Sequence, residues 1–204
     1  MKKIALLFLT IWLSGCAAAP VIRPHRIRNV ALDPVAARTI RRIAVFPLYD
    51  PQDLEGVAER LSDIISLQVL KIGRFKVIEP TRVTMMLAQK NIRPGAAAEM
   101  TDMLEIGAAI GADAIVTGQV IAYRSYHYYP ERLVNREEPA IIGLNLKMVT
   151  LKEHNVIWTA SDIFNGFDEA VAALAPADER WKVRLDIDFL STLLIQQLTQ
   201  TLNY

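Results

Sequence analysis

Ile106-Gly107-Ala108-Ala109-Ile110-Gly111-Ala112-Asp113-Ala114-Ile115-Val116-Thr117-Gly118 runs from the end of one regular element into the start of another. Thr101 to Ile110 has helix spacing, with Thr101 placed as a cap, and Gly111 follows as a stop that reverses the chain. Ala112 and Ala114 are small enough to let a helix and a strand pack closely. Asp113 can accept hydrogen bonds from nearby backbone amides in the turn. Ala114 to Tyr123 is an apolar run that reads as a strand, and Gly118 within it lets a neighbour approach. The glycines do not make a phosphate loop, because no Gly-Lys-Ser/Thr and no second glycine cluster accompanies them.

Working outward, Ile43-Ala44-Val45-Phe46-Pro47-Leu48 is a short continuous apolar run, as expected of a strand buried on both faces. Asp53 to Ile72 carries Val57, Leu61, Ile64, Ile65 and Val69 at helix spacing and stops at Gly73. Phe75 to Ile78 reads as a second strand, and Pro80 opens a helix that runs to Asn91. Downstream, Ile142, Leu144, Leu146 and Met148 alternate with Gly143, Asn145 and Lys147, the pattern of a half-exposed strand. A polar turn at Lys152 to Asn155 returns the chain along Val156 to Phe164, which predicts an antiparallel hairpin with Trp158 packed inside. Asp186 to Leu202 closes the chain as a helix with Leu190, Leu193, Leu194 and Leu198 on one stripe. The fold class that follows is α/β: a mixed β-sheet flanked by helices, with a C-terminal antiparallel hairpin and a closing helix.

Three of these segments carry a resemblance. The opening strand that ends in Phe46-Pro47, the run Gly73-Arg74-Phe75-Lys76-Val77-Ile78-Glu79 and the run Ile106 to Gly118 look like the periplasmic domain shared by the curli secretion channel lipoprotein and the lipoprotein activators of penicillin-binding proteins. The resemblance covers residues 42–164 and is strongest over Ile110 to Gly118. It implies a mixed sheet flanked by helices in a protein that binds other proteins and does no chemistry. The curli channel adds two membrane hairpins to this domain. Here Arg124 to Pro139 holds six charged residues and no alternation, and Asn165 to Ala177 is too short for two membrane strands, so no barrel is expected.

The N-terminus reads as an address. Lys2 and Lys3 precede Ile4 to Leu13, ten residues that are apolar apart from Thr10. That is the length of a signal-peptide core and too short for a membrane span. Leu13-Ser14-Gly15-Cys16 follows and matches the lipobox of bacterial lipoproteins. The match implies cleavage before Cys16, two acyl chains on its thiol and one on its new amine. Each buried methylene contributes about 0.8 kcal/mol, and a single chain holds only weakly, so three chains make a lasting anchor. In that family an aspartate after the cysteine favours the inner membrane. Ala17 and Ala18 stand there instead, which implies the outer membrane, facing the periplasm.

The expected layout is therefore a signal peptide over 1–15, a lipidated Cys16 with a tether over 16–41, and a periplasmic α/β domain over 42–204. Ala17 to Arg42 holds Pro20, Pro24 and Pro34 and six arginines against one acid, Asp33. Its prolines predict an extended spacer. Arg38 to Arg42 are open to belonging to the domain's first turn.

Composition narrows the function. The chain has 204 residues, 52% hydrophobic and 22% charged, with a formal net charge of +1. Without residues 1–15, which carry Lys2 and Lys3 and no acid, 23 basic residues become 21 against 22 acidic ones, a net charge of −1. No basic excess exists to displace counterions from nucleic acid. The single cysteine excludes an intrachain disulfide and a Cys-rich metal site, and no cofactor motif is present. His25, His127 and His154 are far apart, and no HExxH or GxSxG occurs, so no enzyme is expected.

One cluster stands out. Tyr123, Arg124, Tyr126, His127, Tyr128 and Tyr129 gather at a strand end and in the loop after it. Tyr and Arg bury large area while keeping a polar tip, which suits a partner-binding patch. The reading that results is a lipid-anchored, non-enzymatic periplasmic binding protein. It docks on and modulates an envelope machine such as a peptidoglycan synthase, a penicillin-binding protein being the partner that the resemblance suggests. The alternative is a component of an outer-membrane secretion or surface-fibre apparatus, and a homo-oligomer is left open.

Overall fold

A computed structural model describes residues 22–27, 29–130 and 135–203. Cys16 and the signal segment therefore lie outside the described residues. In chain order the elements are β1 (Asn29–Leu32), α1 (Pro34–Ala37), β2 (Arg42–Val45), α2 (Val57–Lys71), β3 (Lys76–Val77), α3 (Pro80–Gln89), α4 (Met100–Ala109), β4 (Ala114–Arg124), β5 (His127–Pro130), β6 (Asn135–Glu138), β7 (Ile141–Thr150), β8 (Val156–Asn165), α5 (Glu169–Ala172), α6 (Arg180–Leu185) and α7 (Ile187–Gln200).

Six strands form one mixed sheet in the order β1-β8-β7-β4-β2-β3. β3, β2 and β4 run parallel, while β4, β7, β8 and β1 run antiparallel to their neighbours. This is the mixed sheet flanked by helices that the hydrophobic pattern predicts, with the β7–β8 hairpin and the closing helix α7 in place. On one face Val57, Leu61, Ile65 and Val69 of α2 and Leu190, Leu194 and Leu198 of α7 pack over Val116, Leu144, Leu146 and Trp158. On the other, Val83 and Leu87 of α3 and Met103 and Ile106 of α4 cover Ala44, Phe46 and Ile115. That second cover ends partway across the sheet. Beyond it Gln119, Ile121, Asn145 and Ile163 are exposed.

Some boundaries move for local reasons. α2 starts at Val57 rather than Asp53 because Asp50 takes the preceding amides first. Its carboxylate accepts from Gln52 N at 2.9 Å and from Leu54 N at 2.9 Å, and Asp53 sits at a positive φ of 53°. This is a turn that competes with the helix for the same donors. Thr101 lies inside α4, and Glu99 occupies the cap position without a side-chain cap bond. Asn165 to Ala177, read from sequence only as too short for two membrane strands, holds α5, and α6 follows it.

The largest difference lies before the domain. The extended spacer expected over Ala17 to Arg42 is, from His25, laid on the body. β1 pairs with β8 from Asn29↔Ser161 to Leu32↔Trp158, and Asp33 caps α1 by accepting from Val35 N and Ala36 N. Ala37 and Ile40 are core residues. The prolines do not prevent this. Pro34 stands at the first turn of α1, where a missing N–H costs nothing, and no proline lies within β1.

The Gly111–Gly118 segment shows why its residue types are needed. Asp113 accepts from the backbone amides of Arg41 (2.9 Å) and Arg42 (2.8 Å), so it closes a contact 72 residues long, not only its own turn. Its own amide donates to Arg42 O at 2.8 Å and its carbonyl accepts from Leu151 N at 2.9 Å. Asp113 thus registers β2, β4 and the β7–β8 turn at one point. We expect Asp113→Ala to lower unfolding free energy by about 2–3 kcal/mol, the range for hydrogen bonds to a charged group, with Asp113→Asn losing less. Urea denaturation of both variants checks this.

Candidate functional site

The predicted patch divides in two. Tyr123 and Tyr126 are partly buried and pack against the main core. The Tyr123 hydroxyl accepts from Arg60 of α2, whose guanidinium lies 5.9 Å from the ring centre. Burial raises the Tyr123 phenol above its ordinary value, with Arg60 opposing the shift. This tyrosine is a neutral brace between β4 and α2.

His127, Tyr128 and Tyr129 leave the body altogether. The segment read as a loop is strand β5, paired with β6 in a separate two-stranded sheet: His127↔Glu138, Tyr128↔Glu137 and Tyr129↔Arg136. Strand alternation places His127 and Tyr129 on one face, where their ring centres are 4.4 Å apart, and Tyr128 on the other. Tyr128 is 44% exposed and Tyr129 38%. The loop reading failed because β5 and β6 are polar and aromatic on both faces, so no hydrophobic alternation marks them.

Two ionic contacts fix the base of this arm. Arg124 lies 3.7 Å from Glu138, which also pairs with Arg136 at 2.8 Å. Arg184 of α6 pairs with Glu137 while its guanidinium covers the Phe167 ring at 4.5 Å. An isolated two-stranded sheet is marginal in water. Here the arm is pinned at its root and exposes aromatic rings beyond it, an arrangement suited to contact with another macromolecule.

Beside a larger hollow of about 750 Å³ lined in part by Asp33, Asp113, Lys152 and Glu153, the body has a cleft of about 240 Å³ between the β2 exit, the 96–98 segment and β4–β7. Pro47, Tyr49, Ala96, Met103, Thr117 and Lys147 are among its lining, which includes no carboxylate, histidine or cysteine. The three histidines stay apart: His25 on the docked N-terminal segment, His127 on the arm and His154 in the β7–β8 turn. Among the described residues no group of three or more His, Cys, Asp or Glu side chains could hold a metal ion. No described helix is long and apolar enough to cross a membrane.

No family model and no curated protein sequence matches the chain. Solved structures do. The PelC dodecamer from Paraburkholderia phytofirmans is 15% identical, with a TM-score of 0.55 over 85% of this chain and 94% of that one. Lipoprotein GNA1162 from Neisseria meningitidis is 17% identical, with a TM-score of 0.45 over 61% of this chain and 82% of that one. LpoB from E. coli is 11% identical, with a TM-score of 0.46 over 74% of each chain. At these identities the likeness to PelC shows the fold, and it spans almost the whole of that chain.

Proposed function

We propose that the protein is a lipid-anchored, non-enzymatic contact protein of the cell envelope, held in the outer membrane by acyl chains on Cys16 and facing the periplasm. The observation that carries the reading is the β5–β6 arm, which presents Tyr128 and Tyr129 to solvent from a pinned base. Anchoring raises local concentration, and contact through the arm biases the partner's active conformation. On the resemblance read from sequence, that partner is an envelope machine such as a peptidoglycan synthase.

A second reading has its own support. A protein with this fold is known as a dodecamer, so the arm's partner could equally be the next copy of the chain in a secretion or surface-fibre assembly. A closed ring of that kind needs a heterologous contact between two different surfaces of each copy. Sedimentation of the processed chain in detergent separates the two. A monomer favours docking on another protein, and a discrete large oligomer favours the assembly.

Either reading predicts the same phenotype for the arm. Replacing Tyr128 and Tyr129 by alanine should leave the melting temperature within about 2 °C, since both rings are exposed. It should reduce envelope crosslinking of the protein, to its partner or to itself, by about tenfold or more, as loss of aromatic interface anchors does. Unchanged crosslinking with an intact fold would remove the arm from the interface.

A further inference from the structure

The N-terminal segment does more than connect. Three independent contacts hold it on the β8 edge. β1 makes its ladder with β8, and Asp33 N donates to Ile157 O at 2.8 Å. His25 N donates to Ala170 O of α5 at 3.0 Å. The His25 ring stands edge-on to Phe164, centres 5.1 Å apart, and its Nε2 lies 2.8 Å from Asp162 Oδ2. Those two side chains are only 14% and 15% exposed, so this clamp is better shielded from water than any Lys or Arg ion pair the structure shows among the described residues. The second oxygen of Asp162 accepts from Ile163 N at 2.8 Å, so the carboxylate is held in place to receive the histidine.

What the segment buries is small by comparison. Asn29, Val30 and Ala31 are exposed. Only Ile27, Leu32 and Ala36 are partly buried against the core, and full burial begins at Ala37. An edge strand with few apolar contacts and one polar clamp is where a fold opens first, well below the free energy of global unfolding.

From these observations we propose that the segment from His25 to Ala36 forms a releasable strap, fastened by the His25–Asp162 clamp, which sets how far the body stands from its anchor. The consequence for reach rests on the acylated Cys16 of the preceding section. With the strap fastened, Cys16 and His25 are nine residue steps apart. At about 3.3–3.6 Å per residue they span at most about 30 Å, and the β8–α5 edge is kept near the bilayer. With the strap released back to Ala37, the separation is 21 residue steps, and the limit rises to about 70 Å. The same chain then contacts a partner close to the lipid or one far from it, and a partner that bound only the extended form would draw the strap off.

The test uses the full processed chain on a supported bilayer of phosphatidylethanolamine and phosphatidylglycerol. Hydrogen exchange follows the Asp33 amide of the strap against the Phe46 amide of the β2–β4 core, and neutron reflectometry reads the height of the protein layer. Asp162→Asn and His25→Ala should each speed exchange at Asp33 by about tenfold, as loss of a charged hydrogen bond predicts, with Phe46 unchanged. Both should raise the mean height of the layer in proportion to the fraction released, up to the contour limit. A disulfide between Val30→Cys and Ala160→Cys, which face each other in the ladder, should suppress both effects. If Asp33 exchanges only in step with Phe46 in every variant, the strap does not open on its own and the proposal is overturned. A chain that leaves the bilayer overturns the anchor reading instead, while the exchange data still judge the strap.

Discussion

Cys16→Ser is expected to empty the outer-membrane fraction of this protein. The step that needs the cysteine is formation of a thioether to a diacylglycerol, and a serine hydroxyl, far less acidic than a thiol, does not replace it. Without the modification, cleavage before residue 16 is lost as well, so the chain should keep residues 1–15 and their Lys2 and Lys3. One acyl chain gives only reversible attachment, with an association constant of about 10⁴ M⁻¹, whereas three give none of that reversibility on a cellular timescale. The expected effect is therefore close to all or none. Mass spectrometry of the wild type should find three acyl groups on a chain beginning at Cys16, and membrane fractionation should find the variant absent from the outer membrane. An unmodified wild-type cysteine would remove both the anchor and the function built on it.

The second large effect is expected at Gly118. A Cβ built there would lie 2.1 Å from Asn145 O and 3.0 Å from Leu146 Cδ2. The first obstacle is backbone of the neighbouring strand, so relief means pulling β4 from β7 along the longest ladder in the sheet. We expect Gly118→Ala to cost about 3 kcal/mol or more, at or beyond the upper end for overpacking. Gly143→Ala is the control. Its Cβ would meet Ile163 Cγ1 at 2.9 Å, but Ile163 is 49% exposed and its side chain can turn away. That variant should lose about 1 kcal/mol or less. Urea unfolding of the pair, followed by the fluorescence change of the buried Trp158, distinguishes backbone collision from ordinary crowding.

The parts of the fold legible in sequence are those where one residue's environment is announced by its neighbours. Ile43-Ala44-Val45 could only be a strand covered on both sides, and the leucines of residues 190–198 could only be one face of a helix. Asp113 was visible as a turn acid, but its two donors, Arg41 and Arg42, lie at the far end of a loop whose closure no local pattern marks. β1 was illegible for a related reason. Asn-Val-Ala-Leu is a weak strand signal set among prolines and arginines, and it becomes a strand only because β8 offers an open edge. The His25–Asp162 clamp joins positions 137 apart, and nothing near either residue points to the other. The tyrosine cluster was found by composition, but its division was not. Whether a ring faces the core or the solvent depends on where β4 ends and the arm begins, which its residue types do not state.

The pairing of β1 with β8 also bears on how the chain is made. Asn29 meets Ser161, so the first strand to emerge from a ribosome or a translocation pore must wait for about 130 further residues before its partner exists. Until then the sheet cannot be finished at that edge. Contacts that close such long loops form slowly, and slowness is useful to a polypeptide that has to be threaded through a membrane before it folds.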